Sequence, residues 1–323
     1  MEYINFIFIG ILFCAVSAIS AQSLEEARAL YNEGGTAMSE SDLETAVQKF
    51  NECIEMCAVL YEEEESIEAE ELMFTVQQNV PKLYLQISQQ KAQEKDYNGS
   101  LENAIRAKES ANEIGNEDIA SKASDLMVKI YYSFGLSNYK AKKPDEALAN
   151  LDNAIEQDEN YFKAHYLKVV ILKDKGDNEA LIAATKDVVN ASGKNDETRE
   201  KTISFTANYF YNEGVKAKQA SEYDKAVKYI NTSLEFNAEN PDSYYLLVTI
   251  YNSQEKWDKT IAAGKEGLKC TGESDKVKFY YELGNAYYGN GDNTSACEAY
   301  KKAAVGDYEE YAKYQMEHVV KCE

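Results

Sequence analysis

Four stretches of this chain can be laid over one another. They are LYNEGGTAMSESDLETAVQKFNECIEM from Leu30, YYSFGLSNYKAKKPDEALANLDNAIEQD from Tyr131, FYNEGVKAKQASEYDKAVKYINTSLEF from Phe210 and FYYELGNAYYGNGDNTSACEAYKKA from Phe279. In each, an aromatic residue or Leu stands four residues before a Gly, and an Ala follows that Gly after twelve more. A recurring unit constrains a fold severely, because each copy must take the same local structure and bury its apolar stripe on a neighbour. The chain has only three prolines, Pro81, Pro144 and Pro241, and its runs are rich in Ala, Glu, Lys and Leu, so the repeated structure is helical.

The pattern resembles the tetratricopeptide repeat, a helix–turn–helix unit of about 34 residues, in an exported bacterial form. Copies begin near Ala27, Pro81, Val128, Phe162, Ala207, Pro241 and Val277, and the steps from Val128 to Phe162 and from Ala207 to Pro241 are 34 residues each. The small residue of the first helix matches Gly34, Ser88, Gly135, Gly214 and Gly284; that of the second matches Ala46, Ser100, Ala147, Ala180, Ala226 and Ala296. The fourth and sixth copies carry Val169 and Val248 at the glycine position. Small residues at these places let two helices approach to roughly 8–10 Å, with Phe50, Leu151, Ile230 and Tyr300 filling the space beside them. GNGD is then the turn between two helices rather than a phosphate-cradling loop. The resemblance implies an all-α, right-handed superhelical solenoid of about seven helix pairs over residues 22–306. A long acidic helix is expected near residues 60–80. A capping helix is expected over 307–323, with Tyr311, Tyr314, Met316 and Val319 inward and Glu309, Glu310 and Lys313 outward.

The formal net charge of −22 opposes binding to nucleic acid and to anionic lipid. The start, MEYINFIFIGILFCAVSAISAQS, reads as an export signal over residues 1–21, cleaved after Ala21 or Ser20, with an apolar run from Ile4 to Val16 too short to span a bilayer comfortably. Its n-region carries Glu2 and no basic residue, and the bulky Phe13 before Cys14 fits a lipoprotein site poorly. Export to a periplasm or cell envelope is the expectation, without a stable membrane span in the mature chain. Secretion, or anchoring by an uncleaved N-terminus, is the alternative.

The chain offers no sign of chemistry. Its two histidines, His165 and His318, are isolated, and Cys53 and Cys57 lie one helical turn apart with no third ligand in view. There is no GxSxG, Walker or EF-hand pattern. No cofactor, no metal and no enzymatic activity are expected. Export places the cysteines in an oxidising compartment. The cap should run antiparallel to the second helix of the seventh repeat, which returns Cys322 toward Cys297 at that helix's start. A Cys297–Cys322 disulfide is one expectation, and thiols left free are the other.

In the repeat family, positions 2, 5, 9 and 12 of each first helix face a concave groove. Position 5 is Tyr31, Tyr132, Tyr166, Tyr211, Tyr245 and Tyr281 in six of seven repeats, and position 2 is basic in five. Lys129, Tyr132, Tyr139, Lys163, Tyr166, Lys173, Tyr211 and Lys218 are the candidate contacts of a protein or peptide partner. Tyrosine brings a rigid apolar body with a polar tip, and lysines in so acidic a protein suit a partner's carboxylates. Tyr at position 5 can equally be a packing residue, and both readings stand. The expected function is a non-catalytic interaction scaffold. The alternatives are a structural subunit of an envelope or secretion complex that buries its convex face, and an exported enzyme on a repeat scaffold.

Overall fold

In a computed structural model of the chain, residues 23–191 and 196–323 are described; the expected export signal, residues 1–21, lies outside them. Every regular element among the described residues is helical. They form two compact units, one reaching Phe134 and the other running from Gly135 to Glu323. The first holds α1 (Leu24–Ser39), α2 (Leu43–Glu64), α3 (Ile67–Gln77), α4 (Val80–Gln93) and α5 (Tyr97–Glu113); α6 (Glu117–Lys140) crosses the boundary. The second continues with α7 (Pro144–Gln157), α8 (Phe162–Lys175), α9 (Asn178–Asn190), α10 (Glu197–Gln219), α11 (Tyr223–Phe236), α12 (Pro241–Ser253), α13 (Trp257–Cys270), α14 (Lys276–Gly289) and α15 (Asn293–Ala303), and closes with α16 (Glu309–Tyr314). The three prolines all lie in the first turn of a helix, α4, α7 and α12, where the missing N–H has no partner to lose.

The small positions act by letting large side chains lie across them. A Cβ built on Gly34 would come within 2.6 Å of the Phe50 ring, on Gly214 within 2.4 Å of Ile230, and on Gly284 within 2.6 Å of the Tyr300 ring. Phe50, Ile230 and Tyr300 are buried in consequence. The second repeat replaces this packing with an exchange of hydrogen bonds: Ser88 Oγ donates to the Ser100 carbonyl at 2.8 Å, and Ser100 Oγ donates to the Ser88 carbonyl at 2.7 Å. Both hydroxyls are fully buried and both are satisfied.

Each helix pair turns through one recurrent geometry. The residue two places before the second helix is left-handed in all seven turns: Ser41, Lys95, Lys142, Gly176, Ser221, Glu255 and Gly291, with φ between 55° and 81°. Glycine occupies only two of these positions; the other five side chains carry a strain of about 1–2 kcal/mol each. In four of the seven turns the next residue caps the helix through its side chain. Asp42, Asp96, Asp177 and Asp292 each accept a hydrogen bond from the backbone N–H three residues on. GNGD is such a turn, with Gly291 left-handed and Asp292 capping α15.

The acidic stretch 60–80 is not one helix. Glu65 is left-handed at φ 50° and Ser66 starts α3 afresh, its hydroxyl accepting from Ala69 N at 3.3 Å. Four consecutive glutamates, Glu62 to Glu65, fall at the C-terminal end of α2, where negative charge opposes the helix dipole. Ser66 offers a cap at once, and the helix restarts. In the cap, α16 passes into a π-helical turn, Gln315–Val320. The buried residues there are Ala312 and Val320, with Met316 half-buried, whereas Tyr311 and Tyr314 are 65% and 58% exposed. The inward face is thus a 4-residue series, Ala312, Met316 and Val320, which the small Ala312 allows to sit close on Tyr300 and Ala303. The structure joins Cys297 to Cys322 with Cα atoms 5.7 Å apart, across a separation of 25 residues. Cys53 and Cys57 are buried free thiols; burial pushes both up, Cys53 to about 12, so neither is a ready thiolate.

Adjacent glycines in α1 separate packing from propensity. Gly34→Ala should destabilise the first unit by about 1–3 kcal/mol through the Phe50 ring. Gly35→Ala, with nothing within 4 Å of its new Cβ, should stabilise it by about 1 kcal/mol; urea titrations of the two variants should therefore move in opposite directions. Opening the 25-residue loop by Cys322→Ser removes about 3–4 kcal/mol on the chain-entropy account. Hydrogen exchange should rise over Phe279–Ala303 and stay unchanged over Leu30–Phe50; a uniform rise would contradict nearest-neighbour stability.

Candidate functional site

The first helices of the second unit carry their position-5 tyrosines at half-burial: Tyr166 on α8, Tyr211 on α10, Tyr245 on α12 and Tyr281 on α14. One side of each of three rings is spent on packing. Tyr166 meets the edge of Phe205 at 5.8 Å between centroids, and Tyr245 meets Phe279 at 5.5 Å. Tyr281 lies 5.8 Å from Tyr300. Burial pushes the phenols of Tyr211, Tyr245 and Tyr281 above their ordinary value. Lysines add a second use of the rings. Lys201 Nζ sits 4.7 Å from the centre of Tyr166, and Lys278 Nζ 4.9 Å from that of Tyr245, each linking one first helix to the next. In the first unit, Tyr31 packs on Phe50 at 5.9 Å, and Tyr132 on α6 is half-buried.

The candidate cations divide into two kinds. Lys173 is paired with Asp174 at 2.9 Å, and the same carboxylate accepts from the Tyr139 hydroxyl at 2.5 Å. The Tyr139 bond comes first among the causes that hold Asp174 below its usual value. Lys218 donates to Thr249 Oγ1 at 2.7 Å, and burial lowers its pKa while Glu282 works against that shift. These three side chains are therefore engaged within the unit. Lys129 and Lys163 are exposed, and among the described residues neither belongs to an ion pair. Lys163 lies one helical turn before Tyr166, so the two share one face of α8.

A further polar network joins α12, α14 and α15. Asn252 Nδ2 donates to Glu282 Oε2 at 2.6 Å and to the Glu282 carbonyl at 3.1 Å. Asn285 Oδ1 accepts from the Tyr300 hydroxyl at 2.7 Å. Asn252 and Asn285 stand at positions 12 and 9 of their repeats, so the spacing that singles out Lys218 also points to them; Glu282, at position 6, carries no such sign. The arrangement orients side chains on the first-helix face and contains no nucleophile–base pair. No group of three or more His, Cys, Asp or Glu suited to a metal occurs among the described residues, and no helix there is long and apolar enough to cross a membrane.

His165 is buried on α8 behind this face, with Nε2–H donating to the Glu159 carbonyl at 3.0 Å. Burial is the largest cause lowering its pKa; the bond to the Glu159 carbonyl comes next and opposes it, with Lys168 lowering and Asp187 and Asp152 raising it further down.

Residues 277–304, covering α14, its turn and α15, match the family model described as tetratricopeptide repeat. No curated protein matches the chain by sequence. Among solved structures, the chain is similar to the TPR domain of P58(IPK), at 11% identity over 92% of this chain and 97% of that one, with a TM-score of 0.33. It is also similar to a tetratricopeptide repeat protein from Parabacteroides merdae, at 11% identity over 91% and 98%, with a TM-score of 0.29. YrrB, a TPR protein with an unusual peptide-binding site, matches at 16% identity over 59% and 88%, with a TM-score of 0.29. Likeness at these TM-scores says nothing about what this chain binds.

The lowered His165 pKa has a definite sign. Below about 6.5 the unfolded chain takes up a proton that the folded chain resists, so stability is fully present above that value and falls as the pH drops. Between about pH 7 and 5.5, the Tm of the native sequence should fall further than that of His165→Gln; parallel curves would show that His165 is not desolvated.

Proposed function

We propose that the chain, whose residues 277–304 match the tetratricopeptide repeat model, is a non-catalytic scaffold that holds a protein or peptide segment against the first-helix faces of its repeats. One observation carries this reading. A series of tyrosines is fixed on one side by packing and half-exposed on the other, while Lys129 and Lys163 stand exposed beside Tyr132 and Tyr166 and belong to no ion pair among the described residues. Rings already immobilised lose little conformational entropy when a partner covers them. Exposed lysines in a protein of net charge −22 favour a segment bearing carboxylates, side-chain or C-terminal. Lys173, Lys218 and Tyr139 serve the scaffold by setting the shape of that face.

We place the protein in a periplasm or cell envelope. The apolar N-terminal run supports export, and a Cys297–Cys322 bridge is the kind that persists in an oxidising compartment.

The full chain should retain a specific partner from its native source. Lys129→Glu and Lys163→Glu each alter an exposed side chain, so the fold, followed by circular dichroism, should stay intact. Loss of one central contact costs about 2 kcal/mol or more, which is roughly a 30-fold fall in affinity. Unchanged retention by both variants would remove the first-helix faces from the interaction.

A further inference from the structure

Tyr308 belongs to the C-terminal cap, yet it lies on the first-helix face of α12 and α14. It ends a 3-10 turn, Gly306–Tyr308, that Gly306 enters at φ 56°. Its ring stands 5.2 Å from that of Tyr281 between centroids. After burial, the adjoining Tyr308 hydroxyl is the next cause raising the Tyr245 phenol. Seven residues on, the Gln315 side chain reaches the Tyr281 hydroxyl. The position-5 tyrosines of the last two repeats are thus both met by one short stretch of the chain's own tail.

The stretch is lightly held. Val305 is 51% exposed, and Gly306 and Asp307 are exposed as well. A cavity of about 640 Å³ opens beside the turn, lined by Val277, Lys278, Val305 and Tyr308 together with Glu273 and Asp275. The anchors of the tail lie elsewhere: Ala312 and Val320 in the last apolar cluster, and the covalent tie of Cys322 to Cys297. Tyr308 therefore enters this face as a side chain on a turn, kept at high local concentration by a tether.

We propose that the first-helix face of α12 and α14 is a site for a protein segment that presents a tyrosine on a turn, that Tyr308 on the turn 305–308 fills it in cis, and that an outside segment of the same kind enters once the cap is released. The recognition element is the tyrosine, its ring against Tyr281 and its hydroxyl toward that of Tyr245. Glu273 and Asp275 beside Lys278 leave no net attraction for the carboxylates that flank it in GDYEEY. This proposal rests on the first-helix face being the binding surface.

The probe is a labelled synthetic peptide, VGDYEEYAKYQ, which is residues 305–315, with a second peptide carrying alanine in place of Tyr308. Fluorescence anisotropy is read with the full chain in three forms: disulfide-bonded; reduced by an added dithiol, which supplies two electrons and two protons, leaves two cysteine thiols and closes to its own disulfide; and Tyr308→Ala/Cys322→Ser. The native peptide should bind the double variant at least ten-fold more tightly than the disulfide-bonded chain, with the reduced chain between them. The alanine peptide should bind the double variant at least ten-fold more weakly than the native one. The reduced native sequence gives a result even where the double variant fails to fold. Equal affinity for all folded forms, or equal affinity for the two peptides, overturns the proposal. The probe comes from this chain, so loss of the outside partner's binding through Lys163 leaves this result standing, and failure here leaves the faces carrying Lys129 and Lys163 untouched.

Discussion

Close approach between the two helices of a pair is the condition on which the other features depend. Gly34 under Phe50, Gly214 under Ile230 and Gly284 under Tyr300 leave no room for a methyl group, and each large partner is buried because that room is absent. Interiors pack at crystal-like density, so one added carbon at such a place displaces a ring or a helix. The serine pair of the second repeat meets the same condition by different means. Ser88 and Ser100 each donate to the other's carbonyl, and two small polar residues hold the backbones together where no large side chain crosses.

Helices held that close and antiparallel leave little length for a turn. The chain meets this with a left-handed residue in all seven turns, followed in four of them by a capping aspartate. Lysine, serine and glutamate accept the left-handed conformation in five of the seven turns, so packing of the flanking helices overrides local preference. The aspartate caps then satisfy an N–H that the abrupt start of the second helix would leave open.

The tyrosines of the first helices are packed on one side and half-exposed on the other. Tyr166 against Phe205 and Tyr245 against Phe279 transmit packing from one first helix to the next within the second unit. The same packing fixes the half-exposed side of each ring, and a rigid amphipathic surface is a good binding surface. Lys201 and Lys278, placed over those rings, use the cation–π attraction in the stack itself. The cap adds to this packing, with the Tyr308 ring 5.2 Å from that of Tyr281 between centroids.

The repeat phase, the helix pairs, the small positions and the turn at GNGD were legible in the amino-acid sequence, because each depends on contacts between residues roughly 12–16 apart that recur at a fixed spacing. The candidate tyrosines were legible for the same reason, as residues on one helical face. Tertiary structure alone decided which lysines stay open. Lys218, at position 12 of its repeat, is engaged by Thr249 on another helix, and the Asp174 carboxylate that pairs with Lys173 is itself held by the Tyr139 hydroxyl of another helix, while Lys163, at position 2, is exposed. It also decided the inward face of the cap, since Ala312, Met316 and Val320 follow the surface left by Tyr300 and Ala303 rather than the strongest apolar side chains of their own segment. The break at Glu65 lies between these cases: the glutamate run and Ser66 are visible in the chain, but both are compatible with a continuous helix. Periodicity carries information about contacts that repeat, whereas a partner for a single lysine or a footing for a terminal segment depends on neighbours brought together only by the folded chain.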